Sequence, residues 1–261
     1  MATLGRPRFC ILKADGTNCE LETAHGLETA GAVTEIVPMN LLRWRERRLG
    51  AFDGLVVAGG FSYGDDVASG KVMAVELMSF LADDMAAFAA AGKPVLGICN
   101  GFQVLVRTGL LPDGVLGRPA AALTTNQSGR YECRWVRLAR TSDCAALDGV
   151  PDLIALPSAH GEGRFQADEA TLQRLEAAGQ VALRYVNEDG RPAASYPDNP
   201  NGSRNGIAGI TDPSGRILGL MPHPERFVAP HQHPDWRAGC GAPARAEPDG
   251  LRLLRAVVAL A

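Results

Sequence analysis

The 261-residue sequence has no long apolar run, so it gives no reason to expect a membrane span. Its N-terminus carries two arginines and a proline before Phe9 and lacks the apolar core of a signal peptide. Runs of lysine and arginine are also missing. With 26 basic and 29 acidic residues the formal net charge is −3, and nothing electrostatic calls for a nucleic-acid partner. The densest basic cluster, Arg43 to Arg48 around Trp44 and Glu46, reads as the solvated face of a short helix. The six cysteines (Cys10, Cys19, Cys99, Cys133, Cys144, Cys240) form no CxxC pair and no zinc-finger spacing. Reduced thiols in a cytoplasmic protein are expected. No internal repeat and no composition break divides the chain, so residues 1–261 read as one domain with a well-buried core.

What is present is an alternation of short β-rich runs with longer helical stretches, the pattern of a parallel sheet covered by helices on both faces. Phe9 to Leu12 reads as the first strand. A helix follows from about Cys19 to Ala30, closed by Gly31, with Asn18 as its N-cap. Strands are expected at Val33 to Val37 and Gly54 to Ala58, then one long alanine-rich helix from Ala74 to Ala91, then a strand at Pro94 to Ile98. In open sheets of this kind chemistry gathers at the carboxyl ends of the strands. Further on, Tyr131 to Leu138 alternates and reads as an exposed-edge or antiparallel strand. Ile207 to Thr211 and Ile217 to Met221 flank the turn residues Asp212-Pro213-Ser214-Gly215-Arg216 and predict a hairpin. Residues 227–248 are rich in proline and glycine and read as a loop insertion, and Asp249 to Ala261 reads as an amphipathic closing helix.

The strongest chemical signal is Gly97-Ile98-Cys99-Asn100-Gly101. An apolar strand that ends in cysteine, with glycine two residues before and two after, predicts a sharp strand-to-helix elbow with the thiol exposed at its tip. The glycines are a steric demand, because Cβ atoms beside such a turn would collide. Most free cysteines are small buried apolar residues, so a nucleophile needs support from elsewhere in the chain. Met221-Pro222-His223-Pro224-Glu225-Arg226 supplies a base and a group to orient it. A residue before proline is pushed to extended geometry, and extended chain puts positions i and i+2 on one side, which brings Glu225 alongside His223. A carboxylate on one ring nitrogen fixes the tautomer and leaves the other for the thiol. The candidate catalytic set is therefore Cys99 as nucleophile, His223 as acid and base, and Glu225 as orienter. An anionic tetrahedral intermediate also needs donors. The backbone N–H of Asn100 is one candidate, and Gly60 or Phe61, in the glycine-rich loop after the third strand, supplies the other. That loop is no P-loop, since no Gly-Lys-Ser/Thr follows.

Gly-Ile-Cys-Asn-Gly-Phe-Gln with a distant Pro-His-Pro-Glu resembles the class I, triad-type glutamine amidotransferase family. Gly16-Thr17-Asn18-Cys19, Gly59-Gly60-Phe61-Ser62-Tyr63-Gly64-Asp65, His160-Gly161-Glu162-Gly163-Arg164-Phe165 and Asn199-Pro200-Asn201-Gly202-Ser203 narrow the likeness to the glutaminase subunits of phosphoribosylformylglycinamidine synthases, over about Phe9 to Arg226. Two departures lie outside the triad: the chain reads Ala14-Asp15-Gly16 where many relatives have a proline before the glycine, and Asp65-Asp66 where an aromatic often follows the first aspartate. The resemblance implies an α/β, flavodoxin-like open sheet, mostly parallel, with an added antiparallel hairpin region. It also implies release of ammonia from glutamine to make formylglycinamidine ribonucleotide from formylglycinamide ribonucleotide in purine biosynthesis. The implied partners are a large synthase subunit and a small third subunit. ATP and magnesium belong to the large subunit, and no cofactor or metal is expected on this chain. By position, Gln103, Asn126 and Ser128 resemble the family's glutamine-binding residues, and His160, Glu162 and Arg164 are expected to face the synthase.

Several alternatives stay open from sequence. His160 is a rival base without a well-placed orienter. His231 and His233 form a histidine pair with no third ligand nearby, and a surface loop is the expected reading. A stand-alone thiol hydrolase acting on γ-glutamyl peptides, a scaffold with a vestigial triad, and an amidotransferase subunit for another acceptor share parts of the same pattern.

Overall fold

A computed structural model describes residues 5–236 and 247–261. Its strands in chain order are β1 (Arg8–Lys13), β2 (Val33–Pro38), β3 (Gly54–Val57), β4 (Val95–Ile98), β5 (Ala122–Thr124), β6 (Glu132–Arg140), β7 (Leu153–His160), β8 (Arg164–Gln166), β9 (Val181–Val186), β10 (Ile207–Thr211) and β11 (Ile217–Leu220). Nine of them form one sheet in the order β2-β1-β3-β4-β11-β10-β9-β6-β7, and β5 pairs with β8 separately. The run from β2 to β11 is parallel, whereas each neighbouring pair from β11 to β7 is antiparallel. The strand order reverses at β1, between β2 on one side and β3 on the other. Such a switch point opens a crevice at the strands' carboxyl ends.

Burial explains the central strands. All four residues of β3, β4 and β11 are buried, as expected for strands covered on both faces. The helix after β4, Asn100–Thr108, is buried nearly all round and packs against the sheet. Gly101 sets how closely it approaches: a Cβ there would lie 1.8 Å from the Val57 carbonyl oxygen in β3. The C-terminal helix Asp249–Val258 lays its apolar face on the first helix, Glu20–Ala30, where Leu254 comes up against Gly26.

The sequence expectations hold for β1 to β4, for the hairpin of β10 and β11, and for the Gly31 C-cap, which is left-handed with φ 112°. Four details differ. The first helix is capped by Cys19, and the Asn18 amide oxygen accepts instead from the Cys19 thiol at 3.4 Å. The expected helix from Ala74 to Ala91 is two, Lys71–Phe80 and Ala82–Ala90, parted at Leu81 (φ −129°), which buries its side chain in the core. No glycine or proline marks that break, so local propensity could not reveal it. The strand begun at Tyr131 is antiparallel but interior, since β7 covers its outer side. In the loop expected at 227–248, residues 230–232 make a short 3-10 turn, while 237–246 lie outside the described residues.

Replacing Gly101 by alanine tests the packing limit. Gly101→Ala is expected to lower the urea-unfolding free energy by about 1–3 kcal/mol or more, the usual cost of overfilling a packed core. A change within experimental error would show that the helix and β3 can separate freely.

Candidate functional site

The site begins with the pairing of β4 and β11. These strands run parallel with Ile98 opposite Leu220, so the residues that follow each leave the sheet side by side. Cys99 turns out of β4 with φ 50° and ψ −105°, while its N–H donates to Leu220 O at 2.8 Å. A β-carbon-bearing residue held in that region stores about 1–3 kcal/mol of strain. The next helix starts at once, with the Cys99 carbonyl accepting from the Gln103 N–H at 3.1 Å. The expected elbow is present, but the thiol is recessed. Cys99 is only 6% exposed and lies at the bottom of a cleft of about 210 Å³, with its Sγ 3.6 Å from Ala159 O. The antiparallel half of the sheet, in particular the end of β7, forms the wall that covers it.

His223 stands three residues past β11 and is anchored by its N–H to Pro157 O in β7 at 2.7 Å. Its backbone is extended, as expected before proline. Glu225 is brought back to the ring by the 3-10 turn Pro224–Arg226, not by continued extension. Its Oε1 lies 2.6 Å from His223 Nδ1, in a pair whose members are 2% and 1% exposed. Burial alone would lower the basicity of His223. The charges of Glu225 and then Cys99, with the nearby Cys19 sulfur adding, outweigh it and hold the pKa well above the usual histidine value. The other nitrogen, Nε2, has no protein partner among the described residues. Cys99 and His223 line the same cleft.

Asn100, at the start of the elbow helix, ties it to the loop after β3. Its Oδ1 accepts from Ser62 Oγ at 2.6 Å, and its Nδ2 donates to Gln103 Oε1 at 3.0 Å and to Asp65 Oδ1 at 3.2 Å. Burial raises the Asp65 pKa, with the nearby Glu162 adding, against hydrogen bonds from Ser69, Gly70 and Asn100. Of the two expected backbone donors in that loop, Phe61 is excluded because its N–H already donates to Gly16 O at 3.1 Å. Gly60 lines the cleft with φ 137°, and a Cβ there would lie 2.6 Å from the Asn18 nitrogen, so the position admits only glycine without distortion. As a first-turn residue, Asn100 has no carbonyl one turn back to bond within the helix.

The structure separates the remaining sequence candidates. Gln103 lies in the cleft and donates to Glu162 O at 2.6 Å. Asn126 and Ser128 do not line it. The Asn126 amide is consumed in bracing the 160–163 turn, taking the Gly163 N–H at 3.0 Å and giving to His160 O at 2.8 Å, while Ser128 Oγ lies 3.2 Å from Glu132 Oε1. The expectation that His160 faces a partner is corrected, since only 3% of the residue is exposed. Its ring is held between Asn126 Oδ1 at 3.1 Å and Asn201 Nδ2 at 3.5 Å. Burial, then the charge of His223, depress its pKa to about 3, which also removes it as a rival base near neutrality. Glu162 points into the cleft rim, where its Oε2 accepts from the Ser69 N–H at 3.2 Å. Arg164 is half-buried and donates to Gly202 O at 3.2 Å. His233 packs between the Trp135 and Phe227 rings, at 4.7 and 5.6 Å, while His231 stands exposed.

Sequence reasoning leaves Cys19 and Arg226 without a place. Both line the cleft, and Arg226 Nη2 donates to Cys19 Sγ at 3.1 Å. Neither residue on its own carries a local sign of chemistry.

Residues 6–258 match the family profile of the CobB/CobQ-like glutamine amidotransferase domain. The Dehalococcoides mccartyi protein named phosphoribosylformylglycinamidine synthase subunit PurQ is 42% identical over 252 residues, covering 96% of each chain. The PurQ of Methanococcus maripaludis strain C7 is 44% identical over 235 residues, covering 88% of this chain and 86% of its own. Among solved structures, PurLQS from Thermotoga maritima matches with a TM-score of 0.74 at 31% identity, covering 97% of this chain and 98% of the other. The glutaminase domain of Trypanosoma brucei CTPS shares the fold at a TM-score of 0.54 and 14% identity, covering 93% and 97%. Matched from end to end at these identities, the chain belongs to the CobB/CobQ-like glutamine amidotransferase family, among the PurQ subunits of phosphoribosylformylglycinamidine synthase.

Proposed function

We propose that this amidotransferase subunit hydrolyses glutamine through Cys99, His223 and Glu225 and delivers the ammonia to the large ATP-dependent synthase subunit, with ATP and magnesium acting there. The observation that carries the reading is the convergence at one cleft of a strained cysteine and a carboxylate-bound histidine whose second nitrogen is free.

In this mechanism His223 takes the Cys99 thiol proton, the Cys99 sulfur attacks the side-chain amide carbon of glutamine, and the carbonyl electron pair moves onto oxygen. The N–H groups of Gly60 and Asn100 stabilise that oxyanion, a contribution of about 2.7–4 kcal/mol per donor in comparable sites. Collapse of the intermediate breaks the carbon–nitrogen bond, and the imidazolium of His223 gives its proton to the departing amide nitrogen, which leaves as ammonia. A thioester remains. Neutral His223 then takes a proton from water, hydroxide adds to the thioester carbon, and glutamate leaves as the sulfur is released. Glu225 holds Nδ1–H throughout, so Nε2 faces the reaction. Gln103, with the nearby Glu162 and Asp65, supplies the polar rim against which the amino-acid end of glutamine is placed. Asn126 acts behind that wall, keeping the 160–163 turn in position, while Ser128 bonds Glu132. The acceptor proposed is formylglycinamide ribonucleotide bound to the large subunit, with a small third subunit completing the assembly.

Glutamine hydrolysis by the purified chain should be slow alone and rise sharply with the synthase subunit. Vigorous cleavage of γ-glutamyl peptides by the lone chain would overturn the reading. Cys99→Ala should lower glutamine-dependent amidation at least about 10,000-fold, as loss of such a nucleophile does, yet leave synthesis from added ammonia intact. Loss of both activities would argue against the division of labour. His223→Ala should match Cys99→Ala, while Glu225→Gln should be about tenfold to a hundredfold milder in kcat, because orientation is easier to replace than proton transfer.

The raised pKa of His223 also predicts a pH dependence of stability. A histidine whose pKa is higher folded than unfolded stabilises fully below the unfolded value of about 6.5 and loses that contribution as pH rises through the folded one. Glu225→Gln removes the main cause of the rise. Its destabilisation in urea unfolding should therefore be largest near and below the unfolded value and shrink toward alkaline pH. A penalty that grows with pH would contradict the pairing.

A further inference from the structure

The two oxyanion donors assigned above sit on different pieces of chain. Asn100 offers its own N–H from the start of the elbow helix, whereas Gly60 belongs to the loop after β3. That loop is not relaxed. Inside its 3-10 stretch Ser62–Asp65, Tyr63 and Asp65 both hold φ at 54°, a left-handed backbone that residues with a β-carbon rarely adopt. Hydrogen bonds from Phe61 N–H to Gly16 O at 3.1 Å and from Tyr63 N–H to Asp15 O at 2.6 Å fasten its outer side to the segment after β1. They do not fasten it to the elbow.

The Asn100 side chain does. The residue is 2% exposed, and the amide uses its full hydrogen-bonding capacity. Oδ1 accepts from the Ser62 N–H at 3.3 Å and from Ser62 Oγ at 2.6 Å, while Nδ2 donates to Asp65 Oδ1 at 3.2 Å and to Gln103 Oε1 at 3.0 Å. A backbone N–H can only donate, so Ser62 settles which end of the amide is oxygen. Ser62 is itself buried and stands two residues after Gly60. Through Gln103, whose Nε2 donates to Glu162 O at 2.6 Å, the same amide reaches the 160–163 turn on the far wall of the cleft. An aspartate would not fill the place, because its second oxygen would face the Asp65 and Gln103 oxygens with no hydrogen to give.

We infer that the Asn100 side chain is a positioning group for glutamine hydrolysis: by clamping Ser62 it holds the Gly60 N–H at the spacing from the Asn100 N–H that one carbonyl oxygen can span. A single residue then supplies one donor through its backbone and places the other through its side chain. The role rests on the reading of Cys99 as nucleophile. Placement at this point matters because a shift of about 1 Å can cost about a hundredfold in rate.

Two measurements test the clamp: glutamine hydrolysis with the synthase subunit, and alkylation of Cys99 by iodoacetamide followed by peptide mass spectrometry. Iodoacetamide is attacked at a saturated carbon and builds no charge on a carbonyl oxygen, so its rate reports the thiol and His223 without the donors. Asn100→Ala should lower kcat about tenfold to a hundredfold and, having freed Gln103, raise KM. Ser62→Ala keeps the backbone bond to Asn100 and leaves Gln103 in place. Its kcat should fall about threefold to tenfold with KM unchanged, as for loss of one hydrogen bond that matters only in the transition state. The double variant should fall no further than Asn100→Ala, because both changes remove the same contact. Alkylation of Cys99 should stay within about twofold of the unsubstituted chain throughout, the scatter expected of uncoupled sites. If Asn100→Ala does not fold, Ser62→Ala decides by itself. Additive losses in the double variant, or alkylation slowed in step with kcat, overturn the clamp. Full kcat in Asn100→Ala or Ser62→Ala beside an inactive Cys99→Ala overturns the clamp alone, whereas turnover that survives Cys99→Ala overturns the proposed reaction and the clamp with it.

Discussion

Parallel pairing of β4 with β11, in a register that sets Ile98 against Leu220, is the constraint on which the site depends. The two strands are more than a hundred residues apart in sequence, and each runs at its carboxyl end into a turn that carries a site residue. Their hydrogen bonds fix where both segments start, and one of those bonds, from Cys99 N–H to Leu220 O, belongs to the strained residue itself. A one-residue slip would turn every side chain of these short buried strands to the opposite face and carry the apolar core with it. Packing of the core and placement of the cysteine beside the histidine are therefore enforced together.

The antiparallel half of the sheet does a different job. Its strand β7 supplies Pro157 O to anchor the His223 backbone and Ala159 O as the neighbour of the Cys99 sulfur, and it runs directly into His160 and the rim at Glu162. Around that rim, Asn126, Asn201 and Ser203 satisfy each other and the backbone of the 160–163 turn. A buried network of this kind is stable only when its members are paired, and the unpaired atoms His223 Nε2 and Glu225 Oε2 stand out against it. The nearby His160, with both ring nitrogens engaged and its basicity depressed, shows how a buried histidine behaves without a carboxylate beside it.

Local patterns make much of this legible. Glycines flanking Cys99 and the proline after His223 act through sterics within a few residues, so they can be read before any fold is known. The β10–β11 hairpin has its turn residues in plain view. Where reading fails, the cause lies in distant contacts. The helix break at Leu81 has no local breaker. Strand β7, the helix Glu169–Ala177 and strand β9 carry signals too weak to be read along the chain. Asn126 and Ser128 resemble binding residues by position, but a buried amide that braces a turn looks the same in sequence as one that meets a ligand. His160 lies beside exposed-looking Gly161 and Glu162, and only the packing of β7 shows that it is covered.

Sequence alone determined the chemical types and their local geometry: a cysteine at an elbow, a histidine held extended before proline, a carboxylate two residues on, and a glycine-rich loop after a buried strand. These follow from steric limits that act over neighbouring residues. Tertiary structure decided which of the distant groups meet, that Glu225 returns to the ring through a turn, that Phe61 spends its N–H elsewhere, and that Cys19 joins the histidine. Such outcomes depend on strand order and register, which are set by burial of the whole sheet and by hydrogen bonds between segments far apart in the chain.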